Sequence, residues 1–195
     1  ELLERVIADI YGPQQLIIDG HLPAPAVTGS RDFARKMVGV PPPAGRYLHV
    51  YAVDLARGPT GEWRVLADRV RFPLGIGYAL ENRIAMGRGL GSLLSSNAVR
   101  RLSDFFDILR RGIAATCARE EPRIALLTPG RFNQAYPEQA HLARYLGLLL
   151  VEGADLAALE DQVYVRTIGG LKRIDALWRR LDPRLLDPLA FDTHS

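Results

Sequence analysis

Few residue types that carry chemistry on their own are present in this chain of 195 residues. Cys117 is the single cysteine, so no disulfide can form within the chain, which fits a reducing compartment such as the cytoplasm. Lysine is confined to Lys36 and Lys172, against 23 arginines. No apolar run reaches the eighteen residues a membrane span needs. The opening ELLERVIADIYG is acidic and amphipathic, unlike a signal peptide. Nothing matches GxSxG, HExxH, CxxC or the phosphate loop that ends in GK[ST]. His21, His49, His141 and His194 are scattered, so the four histidines form no metal-ligand spacing. Net charge is +3 with pI near 9.2, but the basic residues occur as doublets (Arg100–Arg101, Arg110–Arg111, Arg179–Arg180) interleaved with acids. No basic run with aromatics appears, so a solvated, mildly basic surface fits better than a nucleic-acid interface, and neither nucleic acid nor membrane is expected as a partner.

What is present is an ordinary globular composition, 48% apolar and 24% charged. The pattern predicts helix over 2–10, then a second helix that starts at Pro13 and ends near Asp19–Gly20. Residues 21–29 read as loop, 31–38 as a short helix capped by Ser30, and Pro41–Pro43 as an extended spacer. Residues 47–54 and 62–68 read as two strands joined by a turn at Gly58–Gly61. Strict alternation would put Trp63, Val65 and Ala67 on one face of the second strand and Arg64, Leu66 and Asp68 on the other. A helix should run from Tyr78 to about Met86 and stop at Gly87, Gly89 and Gly91. The longest helix is expected over 98–118. Beyond it, RIALLT (123–128), PEQAHLARYLG (137–147) and LLLVE (148–152) read as strand, helix and strand, which predicts a parallel βαβ unit. A hairpin turning at Glu160–Asp161 follows, and IDALWRRLD reads as strand or short helix. The fold class is therefore α/β with α+β character. It divides into an α+β region (1–95), a linking helix (96–120) and a Rossmann-like α/β region (121–195) that reads as cut short at its C-terminus.

Each candidate constellation has two readings. Asp54 and Asp68 lie on paired strands. They would either share a cation such as Mg²⁺ or stand as solvent-facing strand ends paired with Arg57 and Arg69. Pro73-Leu74-Gly75-Ile76-Gly77 would either bring backbone N–H groups to a phosphate or form a plain turn. Glu81-Asn82-Arg83 would either reach into a site or form an exposed helix face. Thr128-Pro129-Gly130 and Glu152-Gly153 follow buried strands, and Asn133, Tyr136 and Glu138 lie in the loop-to-helix junction. Ligands of open α/β sheets bind beyond the carboxyl ends of such strands, although Asn133 or Glu138 could simply cap the helix.

The segments YAVDLARGPTGEWRVLADR, GYALENR, RIALLTPGRFNQAY, HLARYLG, LVEGADL and YVRTIGGLKRIDALWRRLD, in this order, resemble the circularly permuted ATP-grasp family. The group similar to glutathionylspermidine synthase is the part of the family they most resemble. That resemblance implies an ATP-dependent carboxylate–amine ligase working through an acyl-phosphate, with ATP and Mg²⁺ as cofactors. It implies Asp54 and Asp68 as metal ligands, with Leu66 standing where such ligases place a further acid. It implies Arg69 and Arg83 as catalytic cations and Gly75, Gly77, Glu81 and Asn82 as cofactor contacts. Thr128, Gly130, Asn133, Tyr136, Glu152 and Arg179 would line the site for a small-molecule or peptide carboxylate and an amine. The Rossmann-like region would correspond to the pre-ATP-grasp domain, placed late by the permutation. Such ligases grip the nucleotide with lysines on a separate β-rich subdomain. The chain is accordingly expected to be a fragment, partnered by the remainder of the ATP-grasp domain. A non-catalytic binding or scaffold module that kept the fold is the alternative.

Overall fold

The structure, a computed structural model, describes residues 1–71, 73–182 and 186. Contacts divide the chain into two compact units, Glu1–His49 and Val50–Ser195. The first unit holds α1 (Leu2–Ile10), α2 (Gln15–Ile18), α3 (Ala24–Thr28) and single 3₁₀ turns at Arg35–Met37 and Pro43–Gly45. Two acids tie it together through backbone donors. Asp9 accepts from the N–H groups of Gln15 (2.9 Å) and Leu16 (3.0 Å), capping α2. Glu4 accepts from Tyr47 (2.7 Å) and Leu48 (3.0 Å). Tyr11 packs between Phe33 and Tyr47. The expected loop over 21–29 contains α3, because Pro25 falls in a first helical turn, where a missing N–H costs nothing. The helix expected over 31–38 shrinks to the turn at Arg35–Met37.

The second unit begins with an antiparallel ribbon, β1 (Ala52–Arg57) and β2 (Trp63–Arg69). α4 (Ile76–Ser96) and α5 (Ser103–Ala114) follow. β3 (Ile124–Leu127), α6 (Tyr136–Leu146) and β4 (Leu149–Val151) form the expected strand–helix–strand unit, with β3 and β4 parallel. β5 (Leu156–Leu159), β6 (Gln162–Thr167) and β7 (Gly170–Ile174) make an antiparallel meander. β8 (Ala176–Arg179) returns to lie parallel to β3, giving the order β4–β3–β8.

β3 explains this assembly. Its IALL run is buried throughout, as a strand covered on both faces requires. Leu126 points to one cluster with Leu80 of α4, Phe106 and Leu109 of α5, and Leu142 and Leu146 of α6. Ala125 and Leu127 point the other way, to Val151, Val165 and Ile174. One face of the parallel sheet is therefore covered by three helices and the other by the meander.

The helices correct three expectations. α4, not the segment over 98–118, is the longest, and it runs through Gly87, Gly89 and Gly91 to Ser96. The glycines leave it a single kink at Leu90 (φ −129°, ψ 27°). Residues 98–118 yield only the twelve-residue α5. The contact boundary falls at His49/Val50 rather than near residues 95 and 120. The segment expected to link two halves is buried in the helical cluster through Phe106 and Leu109. Among the described residues no helix is long and apolar enough to cross a membrane.

Candidate functional site at the carboxyl edge of the parallel sheet

The ribbon carries the first candidate residues. Its register pairs Val53 with Asp68 and Asp54 with Ala67, then slips, so that Leu55 faces Val65 and Leu66 becomes the extra residue of a bulge. Directly opposed residues share a face, so Asp54 and Asp68 lie on opposite faces. Their partners agree. Asp54 takes Arg69 (Nη2 at 2.6 Å, Nε at 3.1 Å), whereas Asp68 accepts the Tyr51 hydroxyl at 2.6 Å. The expectation that these acids share one cation is therefore overturned: the sheet itself stands between them. The bulge also moves Trp63 and Val65 onto the face of Asp68 and returns Arg64 to the face of Ala67, against strict alternation. Asp68 holds the Tyr51 phenol above its usual pKa, first through their hydrogen bond. Asp54 likewise raises that of Arg69.

The glycine loop is the second. Gly75 has φ 100°, a conformation that favours glycine. The N–H groups of Gly75 and Gly77 do converge on one acceptor, but it belongs to the chain: Oε1 of Glu138, at 2.8 and 3.0 Å. Glu138 lies in the first turn of α6 and is 1% exposed. Gly77 must be small, since a Cβ there would lie 2.6 Å from Cγ of Glu138. The loop is pinned from a second side by Arg180, just past β8, whose Nη2 donates to the Pro73 carbonyl at 2.9 Å. Arg71, before the loop, pairs with Asp182 at 2.8 Å.

A buried polar chain completes the arrangement. The Thr128 hydroxyl donates to Oε1 of Gln139 at 2.5 Å and accepts the Gly130 N–H at 3.2 Å. Nε2 of Gln139 donates to the Arg180 carbonyl at 3.0 Å. Burial lowers the Arg180 pKa, and the negative charge of Glu138 opposes that shift. Among the described residues, Oε2 of Glu138 and Nε of Arg180 are buried without a hydrogen-bond partner. In effect β3, β8, α6 and the glycine loop are locked together at the carboxyl ends of the strands.

Of the residues expected to line a substrate site, three meet there. Thr128 and Gly130 follow β3, and the Glu152 carboxylate, after β4, lies so close to Gly130 that a Cβ there would be 2.9 Å from it. Glu152 also forms a capping box with Asp155. Arg179 lies at the end of β8, opposite Leu127, and is exposed. Asn133 is occupied locally, accepting from the Ala135 N–H at 2.9 Å, and Tyr136 opens α6. Glu81, Asn82 and Arg83 sit inside α4, not at its start, and diverge. Glu81 approaches Nε2 of His141 at 3.5 Å, Arg83 donates to the Arg100 carbonyl at 2.9 Å, and Asn82 is exposed. Sequence reasoning missed Gln139 and Arg180 and saw in Glu138 a ligand-side residue or a helix cap. The available signals were two adjacent polar residues in the first turn of a helix after a buried strand, and the Arg179–Arg180 doublet, of which strand geometry can bury only one.

Residues 1–195 match the family described as circularly permuted ATP-grasp type 2, and the chain belongs to that family. It is 42% identical over 195 residues to an uncharacterized protein of Mycobacterium tuberculosis, covering 99% of this chain and 35% of that protein. An uncharacterized Synechocystis protein is 36% identical over 191 residues (97% of this chain, 40% of that protein). A second uncharacterized M. tuberculosis protein is 34% identical over 190 residues (96% and 22%). The chain thus spans well under half the length of these relatives. Against this background the described residues do not by themselves fit Mg²⁺ and ATP. The two expected metal ligands are separated by a sheet, and among the described residues no three acids, histidines or cysteines gather as a metal group. The backbone donors of the glycine loop are already bound to Glu138.

Proposed function

We propose that this chain is part of an ATP-dependent ligase that joins a carboxylate to an amine through an acyl-phosphate, in the manner of enzymes similar to glutathionylspermidine synthase. The family match along the whole of residues 1–195 carries this reading. The contribution of these residues would be a substrate platform rather than the nucleotide grip. Thr128, Gly130 and Glu152 come together beyond strands β3 and β4, the location at which open parallel sheets bind ligands. Glu138, Gln139 and Arg180 would hold that platform rigid, as a positioned site requires. The cations that phosphoryl transfer needs would come largely from elsewhere in the longer protein, because only Lys36 and Lys172 are present here. A small-molecule or peptide carboxylate, an amine and the remainder of the ATP-grasp domain are the proposed partners, with the cytoplasm as the setting.

The test is an ATP titration of the full-length protein with Mg²⁺, followed by an amine screen read as phosphate release. Release that requires both a carboxylate and an amine is expected. Residues 1–195 alone should neither bind ATP at micromolar concentration nor release phosphate. Steady turnover by that piece would overturn the division of labour. The occupation of Gly75 and Gly77 by Glu138 favours a second reading, a binding or scaffold module without catalysis. It would stand if the full-length protein released no phosphate with any pair in the screen.

A further inference from the structure

The opposite end of the parallel sheet carries a charge pattern that the proposed ligase does not use. The end of α5, the close of α6 at Gly147 and the beginnings of β3 and β4 frame a half-open cavity of about 730 Å³. Four arginines line it: Arg110 and Arg111 from α5, and Arg119 and Arg123 from the segment leading into β3. Two of them are anchored from behind. Nη1 of Arg119 reaches Oδ2 of Asp175 at 3.3 Å, and that aspartate side chain is only 3% exposed. The same oxygen accepts the Arg123 N–H at 2.8 Å, while Nη1 of Arg123 donates to the Arg173 carbonyl at 2.7 Å. A guanidinium has five N–H donors, so each anchored group keeps several for a ligand.

Helix capping is the ordinary explanation for arginines near helix ends. It accounts for neither arginine of α5: Arg111 bonds back within the helix, its Nε donating to the mid-helix Asp107 carbonyl at 3.3 Å, and Arg110 has neither a hydrogen bond nor an ion pair among the described residues. Glu120 and Glu121 share the cavity wall without pairing to the arginines. The charge balance stays positive. Four guanidiniums face two carboxylates and two helix C-termini worth roughly half a charge each. Arg173, which pairs with Asp175, offsets that buried acid.

We infer that this cavity is a second binding site, for a small oxyanion carrying at least two phosphate or carboxylate groups. Guanidinium forks match the paired oxygens of both groups. The site lies at the amino ends of the strands whose carboxyl ends carry the proposed substrate platform, so its ligand would be distinct from the ligase substrates.

Calorimetric titration of the full-length protein with pyrophosphate, and separately with citrate, tests this at low ionic strength without Mg²⁺. At least one probe should bind with Kd below roughly 1 mM. Arg110→Glu, at an exposed and unbonded position, should weaken binding roughly tenfold or more, with unchanged melting temperature. Arg88→Glu, an exposed change on α4, should leave it within about twofold. Binding by pyrophosphate alone assigns the site to phosphates, and by citrate alone to carboxylates. The inference is overturned if neither probe binds, if Arg110→Glu has no effect, or if Arg88→Glu weakens binding as much. None of these readouts depends on ligase turnover, so the outcome is separable from that of the proposed activity.

Discussion

Glu138 shows how one residue settles what a motif means. A glycine-bearing loop before a helix is a general device for holding an anion, and Gly75 and Gly77 do hold one. It is an internal carboxylate, 1% exposed, brought from a segment 61 residues further along. Glu138→Ala should therefore leave the buried Gly77 N–H and the half-buried Gly75 N–H unpaired and destabilise the fold by about 2–4 kcal/mol in denaturant unfolding. Gly77→Ala should cost about 1–3 kcal/mol, because the new methyl meets Cγ of Glu138 at 2.6 Å and Cγ of Leu142 at 3.2 Å. A smaller effect belongs to the ribbon turn. The Thr60 hydroxyl is the largest cause that lowers the Glu62 pKa below its usual 4.5. A depressed folded-state value means that this contribution to stability is present above pH 4.5 and is lost as pH falls through the lowered value. Carboxyl titration by NMR should find Glu62 below 4.5, and Thr60→Val should move it back toward 4.5.

At the scale of elements, α4 overrides its own composition. Each interior glycine costs a helix about 1 kcal/mol relative to alanine, which is why three of them read as a stop. Leu80 is buried in the helical cluster and Ile84 packs against it, and this side-chain burial offsets the glycine cost. Gly87→Ala should accordingly stabilise the protein by about 0.5–1 kcal/mol, since the helical backbone accepts it and no atom lies within 4 Å of the added Cβ. A rise in urea midpoint at constant slope is the measurement. The ribbon gives the opposite lesson. Its strands were legible from their β-branched and aromatic residues, but a single bulged residue, Leu66, reversed which side chains share a face. Nothing in the local pattern of EWRVLAD marks that bulge, because it arises from cross-strand register and not from propensity.

For the whole molecule, the organising feature is a three-stranded parallel sheet whose central strand is buried on both faces. Leu142 of α6 is fully buried against Leu126 of β3 and its cluster. Leu142→Ala should cost about 2–5 kcal/mol by thermal or denaturant unfolding. Because α4, α5 and α6 share that cluster, the loss should appear as one weakened transition of the second unit rather than as local fraying. Purified residues 1–195 are expected to show no ATP turnover, as argued above.

The sequence by itself determined the parallel strand–helix–strand unit and the hairpin at Glu160–Asp161. Continuous apolar runs, helical spacing and turn residues are local signals that tertiary context reinforces here. It also carried the motifs by which the family is recognised. Only the tertiary structure decided that Asp54 and Asp68 face apart, that α5 is core, and that the glycine loop is closed by Glu138. Each of these depends on contacts that no single segment carries: cross-strand register for the acids, helix-on-sheet burial for α5, and a contact across 61 residues for the loop. Local patterns specify which elements form and which faces are apolar. Which partner a buried polar group finds is set by the free-energy cost of leaving a desolvated donor or acceptor unpaired, and most of those partners are supplied only once separate segments are packed together.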